Sequence, residues 1–410
     1  MKAEIIAVGT EILLGDILNT NAQYLALQLA ELGIDVYYQS VVGDNPQRLK
    51  DTIFHAFSRA SLIITTGGLG PTEDDLTKET GAEYFEEELV LDERALKRIE
   101  NYFNKIGRKM TENNRKQAFV PKNSTVLYND NGTAPGIIIE KNNKILVMLP
   151  GPPKETVPMF EKQVKPYLAK KQEYTFLSRV LRIAGVGESS METMVKDLID
   201  GQTNPSIAPY AKDAESILRI TAKAKSKQQA EQMIEPVAQE IYRRFGNDVY
   251  AEGETNMQTT VAKLLIDKQK TIATAESCTG GAIASALVEY AGISSVFIDG
   301  CVTYSNESKQ NRLGVKSETL QKYGAVSPQT AIEMAEGAAK TAGANIGLST
   351  TGVAGPDGGT EEKPVGLVYI GLTIDGVTTV KECHFVGNRE KIRVRAVYTA
   401  LDYLRRELLK

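Results

Sequence analysis

A hydroxyl and a thiol stand side by side in the segment Ala275-Glu276-Ser277-Cys278-Thr279-Gly280-Gly281. The segment follows the β-like run 271–274 and precedes the helix-like run 282–288, so it forms a predicted strand-to-helix turn. Its glycines would allow a substrate to approach the backbone, and amides at a helix start can stabilise a developing oxyanion. The turn predicts either nucleophilic catalysis or an ordinary helix cap formed by Ser277 or Thr279.

A second strand-end segment, 302–309, contains Tyr304 and Lys309. These residues are five apart, which is not the spacing of one helix face, so a turn must bring both into one cleft. A lysine in a desolvated site beside a serine has a lowered pKa and can act as a general base. A solvated surface cation is the alternative for Lys309, because that is where most lysines lie.

Two further segments of the C-terminal part have residues suited to anion binding. The segment 349–360 is rich in glycine and hydroxyl groups, and 387–393 begins a helix with Arg389. Such loops suit phosphate, and an arginine at a helix N-terminus suits phosphate or carboxylate. Both segments are expected at the same sheet edge as Ser277, where α/β proteins place their sites.

The N-terminal part has three strand-end segments, 9–16, 42–45 and 65–75. The Gly-Gly-x-Gly turn at 67–70 can present amides to phosphate oxygens, and the nearby acids are hard ligands for a cation bridging a diphosphate: Glu11, Asp16, Asp44, Asp74 and Asp75. Helix capping is the alternative role for these acids. The spacing matches neither the Rossmann fingerprint nor a Walker A loop, which disfavours dehydrogenase and ATPase functions.

The alternation of predicted elements divides the chain into three units. Residues 1–170 and 253–410 alternate strands and helices, which predicts α/β domains with largely parallel sheets. Residues 175–252 follow a β-α-β-β-α-β order typical of a small ferredoxin-like or KH-like α+β module. The module has no basic Gly-x-x-Gly loop, so a spacer or dimerisation role is favoured over nucleic-acid binding.

Composition restricts the class of protein. The 410 residues are 42% hydrophobic and 24% charged, with a net charge of −4, as in soluble globular proteins. Three cysteines do not make a disulfide framework, and two histidines leave little basis for a zinc cluster or a Ser-His-Asp triad. Without a signal-peptide pattern or a membrane-length apolar run, a cytoplasmic location is expected.

The strings AESCTGG, VTYSNESK, STTGVAGPDGG, EKPVG and GNREKIR resemble the C-terminal domain of the CinA family, the nicotinamide-nucleotide amidohydrolases. The resemblance implies deamidation of nicotinamide mononucleotide to nicotinate mononucleotide and ammonia, with no cofactor. It implies Ser277 as nucleophile and Lys309 with Tyr304 as acid/base groups, with Cys278 the rival nucleophile. The substrate contacts expected on this basis are Cys278, Thr279, Gly280, Asn306, Thr351, Gly352 and Arg389.

The strand-end strings of the N-terminal part, with NDNGTAPG and LPGPPKE, resemble the N-terminal domain of CinA, which is similar to the three-layer molybdopterin-binding fold. That resemblance implies an ADP-ribose pyrophosphatase using Mg, Mn or Co, with Asp44, Asp75 and Glu11 as metal ligands. The expected substrate contacts are Gly9, Thr10, Glu11, Asn21, Gly67, Gly68, Gly70, Pro71, Thr72, Asp74, Pro150, Gly151 and Pro152.

Together the two resemblances predict a bifunctional enzyme of pyridine-nucleotide salvage that acts on nicotinamide mononucleotide and ADP-ribose. The middle module favours a homodimer, and neither a membrane nor a nucleic acid is an expected partner. Two alternatives stay open: a pterin- or molybdenum-cofactor-type binding protein, and a competence-associated regulatory protein that acts through protein partners.

Overall fold

The computed structural model describes residues 1–211 and 214–410. The described chain forms two compact units, one of residues 1–177 with 222–232, the other of residues 178–221 with 233–410. Most of the predicted middle module therefore packs in the same unit as the C-terminal segment. Among the described residues, no helix has the length and apolar character needed to cross a bilayer.

The first unit contains a six-stranded sheet in the order β2-β1-β3-β8-β7-β6, and β4 pairs with β5 separately. The first four strands of that order pair in parallel, and β7 and β6 continue the sheet antiparallel. Its strands are β1 (Lys2–Val8), β2 (Asp35–Val42), β3 (Leu62–Thr66), β4 (Leu89–Leu91), β5 (Phe119–Pro121), β6 (Ser124–Leu127), β7 (Gly136–Lys141) and β8 (Lys144–Leu149).

Helices cover both faces of this sheet, which makes three layers. Strand β3 is buried along its whole length: Ile64 packs into one core with Leu25 and Phe160, and Ile63 packs into the opposite core with Ile53. The helices are α1 (Thr10–Leu13), α2 (Thr20–Glu31), α3 (Pro46–Phe57), α4 (Thr77–Phe85), α5 (Glu93–Lys105), α6 (Glu112–Arg115), α7 (Pro153–Met159) and α8 (Lys165–Ala169).

The middle module is a four-stranded sheet in the order β10-β11-β9-β12 with two helices. Its element order is the predicted β-α-β-β-α-β. The elements are β9 (Thr175–Ala184), α9 (Glu188–Asp200), β10 (Ser206–Ala211), β11 (Glu215–Ala224), α10 (Lys227–Phe245) and β12 (Val249–Glu252).

The C-terminal part is a five-stranded sheet in the order β14-β13-β15-β16-β17, with the first three strands parallel and the last two antiparallel. Its strands are β13 (Ile272–Glu276), β14 (Phe297–Val302), β15 (Ile346–Gly352), β16 (Leu367–Ile374) and β17 (Val377–His384). Its helices are α11 (Met257–Asp267), α12 (Ala282–Val288), α13 (Asn306–Leu313), α14 (Ser317–Tyr323), α15 (Pro328–Ala342) and α16 (Arg389–Leu408). The carboxyl ends of β13, β14 and β15 lie side by side.

Charged side chains on α16 join this part to the middle module. Asp402 is buried and accepts hydrogen bonds from Arg405 and Arg406. Arg405 also donates to the carbonyl of Asn247 at 2.8 Å, and Arg406 forms an ion pair with Asp248 at 2.9 Å. The network anchors the start of β12 to the last turns of α16.

Residues 1–170 alternate strands and helices as predicted, with two departures from a simple alternation. The region 77–127 contains three helices, α4 to α6, followed or interrupted by the short strands β4 to β6. The helical segment after β8 is interrupted by a π-helical turn at Phe160–Val164. Pro158 and Pro166 lie in this region, and neither has an amide hydrogen to continue the regular ladder.

Candidate active sites

Ser277 and Lys309 meet at the carboxyl ends of β13 and β14. Lys309 Nζ lies 3.2 Å from Ser277 Oγ, and it donates to the carbonyls of Thr303 at 2.8 Å and Tyr304 at 3.0 Å. The lysine is fully buried, and this burial lowers its pKa from the ordinary value of 10.5. The surface-cation alternative for Lys309 is therefore wrong.

The contacts of Lys309 suit a base. A neutral amine has two N–H groups and one lone pair, and the two carbonyls can accept both N–H groups. In the ammonium form Nζ donates to Ser277 Oγ at 3.2 Å, and in the neutral form its lone pair is left for the hydroxyl of Ser277. This arrangement allows Lys309 to accept the proton of Ser277 when the serine attacks a carbonyl carbon.

The local fold explains how residues five apart share this cleft. Ser305 caps α13 by accepting a hydrogen bond from the amide of Ser308 at 3.0 Å, so Lys309 lies in the first turns of the helix. Side chains on a helix lean towards its N-terminus, which directs Lys309 back to Thr303 and Tyr304. Tyr304 contacts Lys309 through its main-chain carbonyl, while its side chain is 65% exposed.

Cys278 is a weaker nucleophile than its position suggests. The thiol is buried, and burial raises its pKa from 9.0 to about 11. The reactive thiolate is therefore scarce at neutral pH. Ser277, by contrast, has the amine of Lys309 in contact and a main chain fixed by the bond from its amide to the carbonyl of Thr350 at 3.0 Å.

Two hydroxyls among the predicted substrate contacts are already engaged within the protein. Thr279 is buried, and its Oγ1 lies 2.7 Å from Thr350 Oγ1. Thr351 donates from Oγ1 to the carbonyl of Ala325 at 2.6 Å. Both side chains therefore fix the loops around Ser277.

The remaining predicted contacts lie on the loops of the same part of the chain. Gly280 belongs to the turn after Ser277, Asn306 is the exposed first residue of α13, and Gly352 ends β15. Arg389 donates to the carbonyl of Gly355 at 2.7 Å. One contact was not predicted: Arg393 donates to the carbonyl of Thr279 at 2.9 Å. The sequence sign of this contact is a second arginine one helical turn after Arg389.

The first amides of α12 do not serve the expected role of oxyanion donors. The amides of Gly281, Ile283 and Ala284 all donate to the carboxylate of Glu276. Glu276 was not among the predicted site residues, because a glutamate at the end of a buried strand gives no sign of which amides it will accept from.

The second candidate site is a cavity of about 550 Å³ in the first unit. It is lined by the predicted contacts of the N-terminal part except Thr10, and also by Asn19, Gln117 and Glu155. Burial raises the pKa of Glu155, although a hydrogen bond from Asn129 opposes this shift. Asn21 donates to the carbonyl of Gly151 at 2.7 Å, which joins two of the lining loops.

The glycines of the 67–70 turn allow close packing around this cavity. Gly67 has a φ of 103°, and a Cβ there would lie 2.1 Å from the carbonyl oxygen of Val8. A Cβ on Gly70 would lie 2.3 Å from Asp75 Oδ2. Any side chain at either position would displace the loop that contains Asp75.

The three predicted metal ligands all line the cavity. Asp44 Oδ2 accepts from the amide and the hydroxyl of Thr10, both at 2.9 Å. Asp75 Oδ2 accepts from the amide of Thr72 at 3.0 Å. The carboxylate of Glu11 lies next to Gly9, where a Cβ would be 2.8 Å from Glu11 Oε1. Within residues 1–211 and 214–410, no three His, Cys, Asp or Glu side chains cluster to hold a metal ion.

This donor set fits a particular kind of cation site. Mg²⁺ usually binds one or two carboxylates and completes its coordination with water and substrate phosphates. Asp44 and Asp75 match that number of carboxylates. They are too few to enclose a cation with protein ligands alone. Lys116 holds the acidic loop by donating to the carbonyls of Thr72 at 3.0 Å and Asp75 at 2.7 Å.

Comparison with known proteins accounts for nearly the whole chain. Family models match in succession: "Probable molybdopterin binding domain" over residues 4–170, "Damage-inducible protein CinA KH domain" over 178–251 and "CinA C-terminal domain" over 254–408. A competence-damage inducible protein of Clostridium beijerinckii is 59% identical over 410 residues, covering 100% of both chains. The chain belongs to the CinA family.

A second full-length relative agrees with this assignment. A competence-damage inducible protein of Clostridium novyi is 60% identical over 410 residues, covering 100% of this chain and 99% of its own. The solved structure of the competence/damage inducible protein CihA from Agrobacterium tumefaciens is 42% identical, covers 38% of this chain and 98% of its own, and gives a TM-score of 0.36. The predicted family and fold class are confirmed: a molybdopterin-binding-like domain, a KH-like module and a CinA C-terminal domain.

Proposed function

We propose that the C-terminal domain hydrolyses the carboxamide of nicotinamide mononucleotide to nicotinate mononucleotide and ammonia. The observation that carries the proposal is the contact between Ser277 Oγ and the buried amine of Lys309 at 3.2 Å. A serine with a neutral lysine as its base is a known solution for amide hydrolysis without histidine or metal.

The proposed reaction has two halves. Ser277 Oγ attacks the carboxamide carbon while Lys309 accepts the serine proton, and the C–N bond then breaks as Lys309 returns that proton to the departing ammonia. Water next attacks the acyl-enzyme, giving its proton to Lys309, and the ester bond to Ser277 breaks as the proton passes to Oγ. No cofactor is needed for either half.

The phosphate of the nucleotide needs cationic or amide partners near Ser277. Arg389 and Arg393 are both anchored to loops of this site, through the carbonyls of Gly355 and Thr279. We assign substrate positioning to Arg389 and to the loops that contain Asn306 and Gly352. Arg393 fixes the turn that contains Thr279 and Gly280.

For the N-terminal domain we propose hydrolysis of ADP-ribose to AMP and ribose 5-phosphate. The cavity, its glycine turn and its carboxylates support a diphosphate ligand. A divalent cation such as Mg²⁺, Mn²⁺ or Co²⁺, when bound, would neutralise charge on the diphosphate. Asp44 and Asp75 would hold that cation, while Asn21 and the loop 150–152 orient the rest of the ligand.

Two other functions rest on the same domains. A pterin- or molybdenum-cofactor-type ligand would also suit the N-terminal cavity, and binding of a pterin phosphate without hydrolysis of ADP-ribose would favour it. A regulatory role through protein partners would be favoured if loss of both activities left the cellular role intact. A homodimer formed through the KH-like module is part of the proposal, and sedimentation of the full chain tests it.

Ammonia release from nicotinamide mononucleotide by the full chain tests the amidohydrolase. Lys309→Met removes the base without adding charge, and it should abolish ammonia release while nucleotide binding survives. Lys340→Met is the matched control, because Lys340 is an exposed lysine at the end of α15. Near-wild-type turnover by Lys309→Met would refute the assigned role.

AMP release from ADP-ribose with and without added Mg²⁺ tests the pyrophosphatase. Asp75→Asn should weaken both Mg²⁺ binding and turnover, because it removes a negative charge from the cavity. Asp51→Asn, an exposed acid on α3, is the matched control. Hydrolysis that proceeds equally without a metal would contradict the proposal.

A further inference from the structure

Glu276 has a buried carboxylate whose oxygens accept three main-chain hydrogen bonds. It is the last residue of β13, directly before Ser277, and it is 1% exposed. Oε2 accepts from the amides of Gly281 at 3.0 Å and Ile283 at 3.1 Å, and Oε1 accepts from the amide of Ala284 at 2.8 Å. The carboxylate therefore ties the end of the strand to the start of α12, across the turn that contains Ser277.

The main chain of Glu276 belongs to the same set of contacts. Its carbonyl accepts from the amide of Thr303 at 2.9 Å, and the carbonyl of Thr303 accepts from Lys309 Nζ at 2.8 Å. Lys309 Nζ in turn contacts Ser277 Oγ. Ser277 and Lys309 thus contact each other directly, and they are also connected through Thr303 and the main chain of Glu276.

The carboxylate also determines which amides remain available to a substrate. The helix amides that could have stabilised an oxyanion are used by Glu276. In the part of the chain that the structure describes, the amide of Cys278 donates to no other residue. The amide that follows a nucleophile is well placed for the oxyanion in other serine hydrolases with a strand-to-helix turn.

We propose that Glu276 is a positioning residue for Ser277. Its carboxylate holds the turn 277–281 so that Ser277 Oγ stays in contact with Lys309 Nζ, and it leaves the amide of Cys278 to the oxyanion. The inference rests on the proposed amidohydrolase function for its kinetic readout.

The role requires hydrogen-bond acceptors at both oxygen positions of the side chain. Three N–H donors converge on the two oxygens, and an ionised carboxylate has acceptor sites only. Glutamine has the same shape, but its NH₂ group would face one or two of these amides, donor against donor. Glu276→Gln therefore loosens the turn without changing the packing volume.

The test is the reaction of Ser277 with a fluorophosphonate, measured on the full chain. In this reaction the Ser277 Oγ–P bond forms, the P–F bond breaks and fluoride leaves, while Lys309 accepts the serine proton. In Glu276→Gln the phosphonylation rate and kcat for nicotinamide mononucleotide should fall together by about 10²-fold, since misplacement of about 1 Å costs that much. KM should change less than kcat, because the variant leaves Arg389 and the loops that contain Asn306 and Gly352 in place.

Asp402→Asn is the matched control. Asp402 is another buried carboxylate in the same unit, but it binds Arg405 and Arg406 away from Ser277. Its variant should lower the melting temperature, yet the folded protein should keep the wild-type phosphonylation rate. All rates are compared at a temperature where every variant is folded.

The outcomes separate the inference from the proposed function. A lowered melting temperature with an unchanged phosphonylation rate in Glu276→Gln would overturn the positioning role and leave Glu276 a structural residue. Wild-type protein that is phosphonylated at Ser277 but releases no ammonia would refute the amidohydrolase, while the labelling comparison still tests Glu276. A wild-type chain that does not react at Ser277 would overturn the inference.

Discussion

Replacing Ser277 and Cys278 separately by alanine decides which of two adjacent side chains is the nucleophile. Burial raises the pKa of Cys278 from 9.0 to about 11. At pH 7 a thiol with that pKa is about 10⁻⁴ ionised, compared with about 10⁻² for a thiol of pKa 9, so its thiolate is about 100-fold scarcer. Ser277 Oγ, by contrast, lies 3.2 Å from the amine of Lys309, its proposed base.

The assay is ammonia release from nicotinamide mononucleotide at neutral pH. Ser277→Ala should lose at least about 10³-fold in kcat, as serine hydrolases do when their nucleophile is removed. Cys278→Ala should retain kcat within about tenfold, because the serine still attacks and the loss of a buried thiol disturbs only the packing of the turn.

The rate at which Cys278 is alkylated tests independently whether burial makes its thiol unreactive. In a chain whose other thiols, Cys301 and Cys383, are replaced by serine, iodoacetamide should modify Cys278 about 100-fold more slowly than an ordinary thiol of pKa 9. Rapid alkylation with loss of activity would refute the argument from burial. Activity that survives Ser277→Ala but not Cys278→Ala would overturn the Ser–Lys mechanism itself.

Three further predictions concern lysines. Only neutral Lys309 can act as a base, so kcat/KM should rise with pH through a midpoint below pH 10.5. A kcat/KM that stays flat or falls as the pH rises towards 10.5 would contradict this prediction. Burial lowers the pKa of Lys78 to about 8, so its ammonium destabilises the fold at low pH, and unfolding free energy should rise between pH 8 and 10.5. At pH 7 Lys78→Met should therefore raise the free energy of unfolding by about 2 kcal/mol in denaturant titrations. Lowering the pKa from 10.5 to about 8 corresponds to about 3 kcal/mol, and loss of the hydrogen bond to the carbonyl of Lys116 costs about 1 kcal/mol. No gain at pH 7, or a gain that persists at pH 11, would contradict this. Lys116→Met should weaken Mg²⁺ binding to the N-terminal domain by calorimetry, because the loop containing Asp75 loses two bonds, and unchanged affinity would assign Lys116 a structural role only.

The sequence predicted that the loops of the candidate sites lie at strand ends, because the same residues that suit the proposed chemistry also end the strands. Short apolar runs followed by glycine and polar residues marked the strand ends, and parallel strands necessarily bring those ends to one edge. Ser277 and Lys309 were therefore predicted together despite lying 32 residues apart. The fully buried position of Lys309 could not be predicted, since it depends on α13 packing over the strand ends.

Long-range contacts to main-chain groups could not be predicted from residue types in the same way. Lys116 lies 41 residues from Asp75 and binds its carbonyl, which any residue would offer. Tyr304 was predicted for its phenol, yet its carbonyl makes the contact with Lys309. Side-chain chemistry can be read from residue types, whereas a contact with a carbonyl depends only on where the backbone passes.

A final prediction separates the base from the positive charge at position 309. Lys309→Arg keeps a cation, but a guanidinium does not lose its proton in proteins, so it cannot accept one from Ser277. A lysine at this position can lose its proton, because burial lowers the pKa of Lys309. Lys309→Arg should therefore be as inactive in ammonia release and phosphonylation as Lys309→Met, at every pH where both are folded. If Lys309→Arg retained substantial activity while Lys309→Met did not, the lysine would act by charge, and general-base catalysis by a neutral amine would be refuted.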